Sequence, residues 1–109
     1  MDSRTEYCID AELRFARHRF PGNKHMLAAL VEEVGELAQA LIDHDRSKKT
    51  GAQVYAEAIQ VAVMAIRIAE EGSQEHGYAF DHGHYQAFDV NKLDKHLATQ
   101  QHGESGDRP

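Results

Sequence analysis

An all-α helical bundle with antiparallel helices, completed by association with other copies, is the fold class this sequence predicts. Three observations carry it. Apolar residues recur at helical spacing in three consecutive segments, no segment alternates as a strand would, and glycine or proline punctuates the segments where helices should end. The chain has 109 residues, and only its first two thirds are apolar enough for a core, which predicts one domain that is small for stability on its own.

In residues 5–19, Tyr7, Cys8, Ala11, Phe15 and Ala16 form one apolar stripe, predicting a first helix that stops at Pro21 and Gly22. Asn23 then offers an N-cap for a second helix over 24–43. Leu27, Leu30, Val31, Val34, Leu37, Ala38 and Leu41 fall on one face of it at about 100° per residue. Residues 44–51 are polar, aperiodic and end in glycine, as a loop between antiparallel helices does. A third helix is predicted over 52–71, closed by Gly72 and Ser73. Apolar residues from Val54 to Ala69 cover almost its whole circumference, so it should have partners on several sides. Beyond Gly72 the composition turns to Gly, His, Gln and Asp. A weak further helix is expected over 91–101 and disorder over 102–109.

Composition narrows the function. A net charge of −6 argues against general nucleic-acid binding, which needs a cationic surface. A single cysteine excludes an intrachain disulfide, and with no basic-plus-apolar leader it predicts a cytoplasmic protein. No membrane association is expected, because Glu57, Gln60 and Arg67 interrupt the most apolar stretch. Of the eight histidines, His76, His82 and His84 invite a transition-metal site, but their segment has no helical spacing to converge the rings and no cysteine partner, and it reads as a solvated, histidine-rich tail. Tyr78, Phe80, Tyr85 and Phe88 are expected to pack that tail on a helix or a neighbouring subunit. Cys8 is assigned no chemistry.

The candidate chemistry lies in carboxylates. Glu33 and Glu36 stand three residues apart and so project to neighbouring points on the second helix, off the Leu30–Val34–Leu37 stripe. Ala29 and Ala40, at similar angles, should leave room beside them, with Glu32 further round. These acids are equally what a solvated helix face carries. Glu57 is different, because it sits in an otherwise apolar helix where an unpaired charge is costly. Its cation is either Arg67 or a lysine, in a structural ion pair, or a divalent metal shared with Glu33 and Glu36. Gln60, one turn on, offers a neutral carbonyl oxygen. An oxygen-only donor set favours Mg2+ or Mn2+ over zinc.

The string Leu30-Val-Glu-Glu-Val-Gly-Glu-Leu-Ala-Gln-Ala-Leu41, followed by Glu57-Ala-Ile-Gln60 and the apolar run to Glu71, resembles the MazG-like all-α nucleoside triphosphate pyrophosphatases over residues 21–72. The resemblance implies a MazG-like helical domain over 1–77, leaving an aromatic and His-containing extension over 78–101. It implies Mg2+-dependent hydrolysis of a nucleoside triphosphate to the monophosphate and pyrophosphate, in a homodimer or homotetramer. It maps the family's E-x-x-E onto Glu33 and Glu36 and its E-x-x-D onto Glu57 and Gln60, with an amide here in place of the family's aspartate. Glu33, Glu36, Glu57 and Gln60 are the expected metal ligands, and one of the three glutamates or Glu32 the expected general base. Lys24, Arg67, Lys48 and Lys49 are the candidate phosphate contacts. The competing expectation, raised by Gln60, is a noncatalytic helical oligomer that binds nucleotide or a protein partner.

Overall fold

The computed structural model of the chain describes residues 1–93. It contains three α-helices, α1 (Ser3–Arg19), α2 (Met26–Asp45) and α3 (Gly51–Glu71), then single 3-10 turns at Gln74–His76 and Val90–Lys92. No strand occurs among the described residues, so the fold is all-α as the periodicity predicted. The expected helix over 91–101 and the tail over 102–109 lie largely or wholly outside the described residues.

Each helix end has a local cause. The Asp2 carboxylate accepts from the Thr5 N–H at 3.0 Å, starting α1 at Ser3, two residues ahead of the predicted start at residue 5. Helix α2 begins at Met26, and Asn23 does not cap it. The Asn23 amide donates instead to the Glu71 carbonyl at 2.7 Å, which fastens the α1–α2 connection to the end of α3. Gly51 is the first residue of α3 rather than the last of a loop. The Thr50 hydroxyl accepts from the Gln53 N–H while the Gln53 side chain accepts from the Thr50 N–H, a capping box written in the sequence as T-x-x-Q. Gly72 closes α3 at φ 81°, where a Cβ would collide with the Tyr78 carbonyl oxygen. Tyr78 pairs with the Ser73 backbone and its hydroxyl donates to the Ala69 carbonyl at 3.2 Å. Of the four aromatic residues beyond α3, it alone ties the extension to a described helix in this way. Phe80, Tyr85 and Phe88 are exposed.

Helix α3 is central. It packs along α2 on one side and α1 on another, while α1 and α2 diverge and leave a groove between them. Met26, Ala40, Ile59, Val63 and Met64 form the buried apolar core. The apolar stripe on α2 does not all turn inward. Ala40, with no exposed surface, seats α2 against α3, so Met26 and Glu33 come toward the interior with Leu30 and Leu37 half-buried. Leu27, Val31, Val34 and Leu41 remain exposed. Ala40 thus serves helix packing and leaves no ligand space, whereas Ala29 does line the groove. By length and composition alone α3 is apolar enough to cross a bilayer, contrary to the expectation from its polar interruptions. In this structure it is the central helix, and its Glu57, Gln60 and Arg67 face inward, half-buried or buried.

Candidate acidic site

Packing α2 along α3 brings Glu33 and Glu57 together across the helix pair, and Glu36 joins them from one turn further along α2. Each of the three offers a carboxylate oxygen within 4.8 Å of the other two. Oε2 of Glu33 is shielded from solvent and has no hydrogen-bond partner. Burial raises the Glu33 carboxyl from its ordinary 4.5 to about 7, and the negative charges of Glu36 and Glu57 push it the same way. A shielded acceptor without a donor, among acids without a base, is electrostatically unsatisfied until a proton or a cation arrives. The donor set fits a hard divalent cation.

Arg67 does not supply that cation. The residue is 4% exposed, and its guanidinium donates to both Glu71 oxygens at 2.9 Å and to the carbonyls of Phe20 and Gly22 at 2.8 and 3.1 Å. The ion pair considered for Glu57 therefore goes to Glu71, and no salt bridge to Glu57 occurs among the described residues. Arg17 donates to Glu71 and Glu70 as well, joining α1 to the end of α3. As a phosphate contact Arg67 is already committed through Nε and Nη2, though it does line the groove. Lys24 lines the groove too. Lys48 and Lys49 belong to the α2–α3 connection and do not.

Gln60 stands on the groove wall, and its Nε2 donates to Oε2 of Glu12 at 3.2 Å. Glu12 is a site residue that the reading of the sequence missed. The signal was present, since Glu12 follows Cys8 and precedes Ala16 by one turn each, placing a carboxylate within the apolar stripe of α1. The groove encloses about 550 Å³, a size that suits a nucleotide-sized ligand. Phe15, Phe20, Met26 and Met64 supply apolar wall, and Glu12, Glu32, Glu33 and Gln60 join Lys24, His25 and Arg67 in the polar part. Exposed Glu32 sits beside the cluster. Among the described residues the three glutamates are the sole grouping of His, Cys, Asp or Glu with converging ligand atoms. No family model, no curated protein and no solved structure matches this chain.

Proposed function

We propose that this chain is a metal-dependent nucleoside triphosphate pyrophosphohydrolase of the MazG-like kind, cleaving between the α and β phosphates. The observation that carries the reading is the convergence of Glu33, Glu36 and Glu57, one of them with an orphaned buried oxygen, at the edge of a groove of nucleotide size. Glu33, Glu36 and Glu57 would hold Mg2+ or Mn2+, which when bound neutralises phosphate oxygens and lowers the pKa of a coordinated water. Glu32, exposed beside them, is free to accept a proton from the attacking water. Phe15, Phe20 and Met26 offer apolar surface to a base, and Lys24 a cation to the phosphate tail.

A second reading, a noncatalytic oligomer that binds nucleotide, draws on Gln60. Its amide is held by Glu12 on α1, where the resembled family carries an acid. A screen of canonical and modified nucleoside triphosphates with Mg2+ and with Mn2+ separates the two readings. The proposed activity releases pyrophosphate and a monophosphate in equal amounts. Release of orthophosphate alone would count against the first reading, and no turnover of any nucleotide together with retained nucleotide binding would favour the second.

A further inference from the structure

The groove has two unlike ends. The acidic cluster marks one of them, and Arg67 stands at the other, ten residues beyond Glu57 on α3 and so about 15 Å along the helix axis. Gln60, Val63 and Met64 line the wall between. Arg67 is the one charged residue that is buried among the described residues, its side chain 5% exposed. Nε and Nη2 are taken by Glu71 and by the Phe20 and Gly22 carbonyls, which fixes the plane of the guanidinium. Nη1 has no hydrogen-bond partner among the described residues. Nor is it sealed off, since Oε2 of Glu33 is the one fully shielded side-chain nitrogen or oxygen there without a partner. The little surface that Arg67 keeps therefore includes Nη1, and the cavity that Arg67 lines is the groove. Two N–H donors are presented there, held from behind and unable to turn away.

We infer that Nη1 of Arg67 reads the base of the bound nucleotide by donating to a ring carbonyl, so that the groove selects bases carrying a keto group over those carrying an amino group at the same ring position. Three observations select this ligand. The first is charge. Arg67 and Arg17 are already matched by Glu71 and Glu70, two cations against two anions, which leaves no net charge to hold a phosphate and suits a neutral acceptor. Lys24, exposed on its flexible stem, remains free to follow the phosphate tail. The second is the wall. Met64 stands one turn before Arg67, and Met26 and Phe20, whose carbonyl Arg67 holds, add apolar surface for the faces of a ring. The third is span, since an extended nucleotide with its phosphates at the glutamates carries the edge of its base toward Arg67. Guanine, hypoxanthine and uracil present an acceptor where adenine and cytosine present an amino donor, and a fixed N–H facing that donor is left without a partner. The inference rests on the groove taking a nucleotide, as both readings above hold, and does not require turnover.

Calorimetric titration of the full chain in Mg2+ tests it, with nucleoside triphosphates whose α–β bridging oxygen is replaced by methylene so that binding is read apart from turnover. The inosine nucleotide should bind at least about 10-fold more tightly than the adenosine nucleotide, and the uridine nucleotide more tightly than the cytidine one. Arg67→Lys should bring the inosine-to-adenosine ratio to about 1, chiefly by weakening inosine, with helical circular dichroism retained. If that variant fails to fold, the parent chain decides the matter with the purine riboside nucleotide, which carries only hydrogen on C6. It should bind about 10-fold or more below inosine, because a site that bonds a carbonyl penalises its absence. Equal affinity for the inosine, adenosine and purine riboside nucleotides overturns the inference, as does a preference that survives Arg67→Lys. Loss of affinity in Arg67→Lys for every nucleotide alike, and for inorganic pyrophosphate with them, gives the guanidinium to the phosphate tail and overturns it too. Turnover without base preference leaves the pyrophosphohydrolase reading standing without this inference, and base preference without turnover leaves the inference standing without that reading. Binding of no nucleotide overturns both.

Discussion

Glu33 and Glu71 occupy neighbouring helices, and both are partly buried beside other charged groups, but those groups have opposite signs. Glu71 receives hydrogen bonds from Arg67 and Arg17, and the guanidinium of Arg67 above all holds its carboxyl below the usual range against the opposing effect of burial. Glu33 is buried beside Glu36 and Glu57, with an oxygen that nothing in the fold satisfies. The Glu71 cluster closes the structure, with Arg17 joining α1 to α3 and Arg67 joining the α1–α2 connection to α3. The Glu33 cluster does the reverse, since folding assembles repulsion there. In the proposed reading a cation relieves that repulsion, and this contrast separates architectural charge from the candidate chemistry.

The comparison breaks most sharply at Arg67. Arg67→Ala should destabilise the protein by about 3 kcal/mol, because it leaves Glu71 and the carbonyls of Phe20 and Gly22 without their donor. Urea unfolding measures it, and a loss below about 1 kcal/mol would mean the guanidinium contributes little to holding the helices together. At the other centre the signs should invert. Glu36→Gln and Glu57→Gln should each lower pyrophosphate release by about 100-fold or more, as loss of a ligand exceeds the 10- to 100-fold typical of its outer partners. Melting in chelator should show Glu57→Gln no less stable than the parent. A lowered melting temperature there would place Glu57 in a structural ion pair.

pH sharpens the same contrast. The Glu71 carboxyl is lowered by folding, so its stabilisation is present above the unfolded value and lost as pH falls through the folded one. The Glu33 carboxyl is raised from 4.5 to about 7, so its contribution is present below the unfolded value and lost as pH rises through about 7. Unfolding midpoints in chelator should therefore fall from pH 5 to about pH 7 and level off toward pH 8, and Glu33→Gln should remove that fall. An unchanged profile in the variant would show Glu33 to be ionised and satisfied without metal.

The smallest expected effect is at Gln60. Gln60→Asp should tighten Mg2+ or Mn2+ binding in calorimetric titration, since added carboxylate charge raises affinity for hard cations. In chelator it should lower the melting temperature, because the Gln60 donor to Glu12 is lost and a further acid joins the groove wall. Unchanged affinity together with unchanged melting would place position 60 outside both networks.

The sequence by itself determined the helices, their antiparallel order around a polar connection, and the acids that could meet. Those follow from periodicity, turn residues and helical spacing, which are local properties of the chain. Even the Thr50 capping box and the place of Glu12 within the α1 stripe were written there. Only the tertiary structure decided which side of α2 faces inward. The helix is apolar through more than half its circumference, so its hydrophobic pattern alone does not fix its rotation. The packing of Ala40 against α3 fixes it, turning Glu33 toward Glu57 and leaving Val31 exposed. Tertiary structure likewise assigned Arg67 to Glu71 rather than Glu57. Both acids lie on the same helix as the arginine, and its choice depended on carbonyls of Phe20 and Gly22 that reach it from a distant part of the chain.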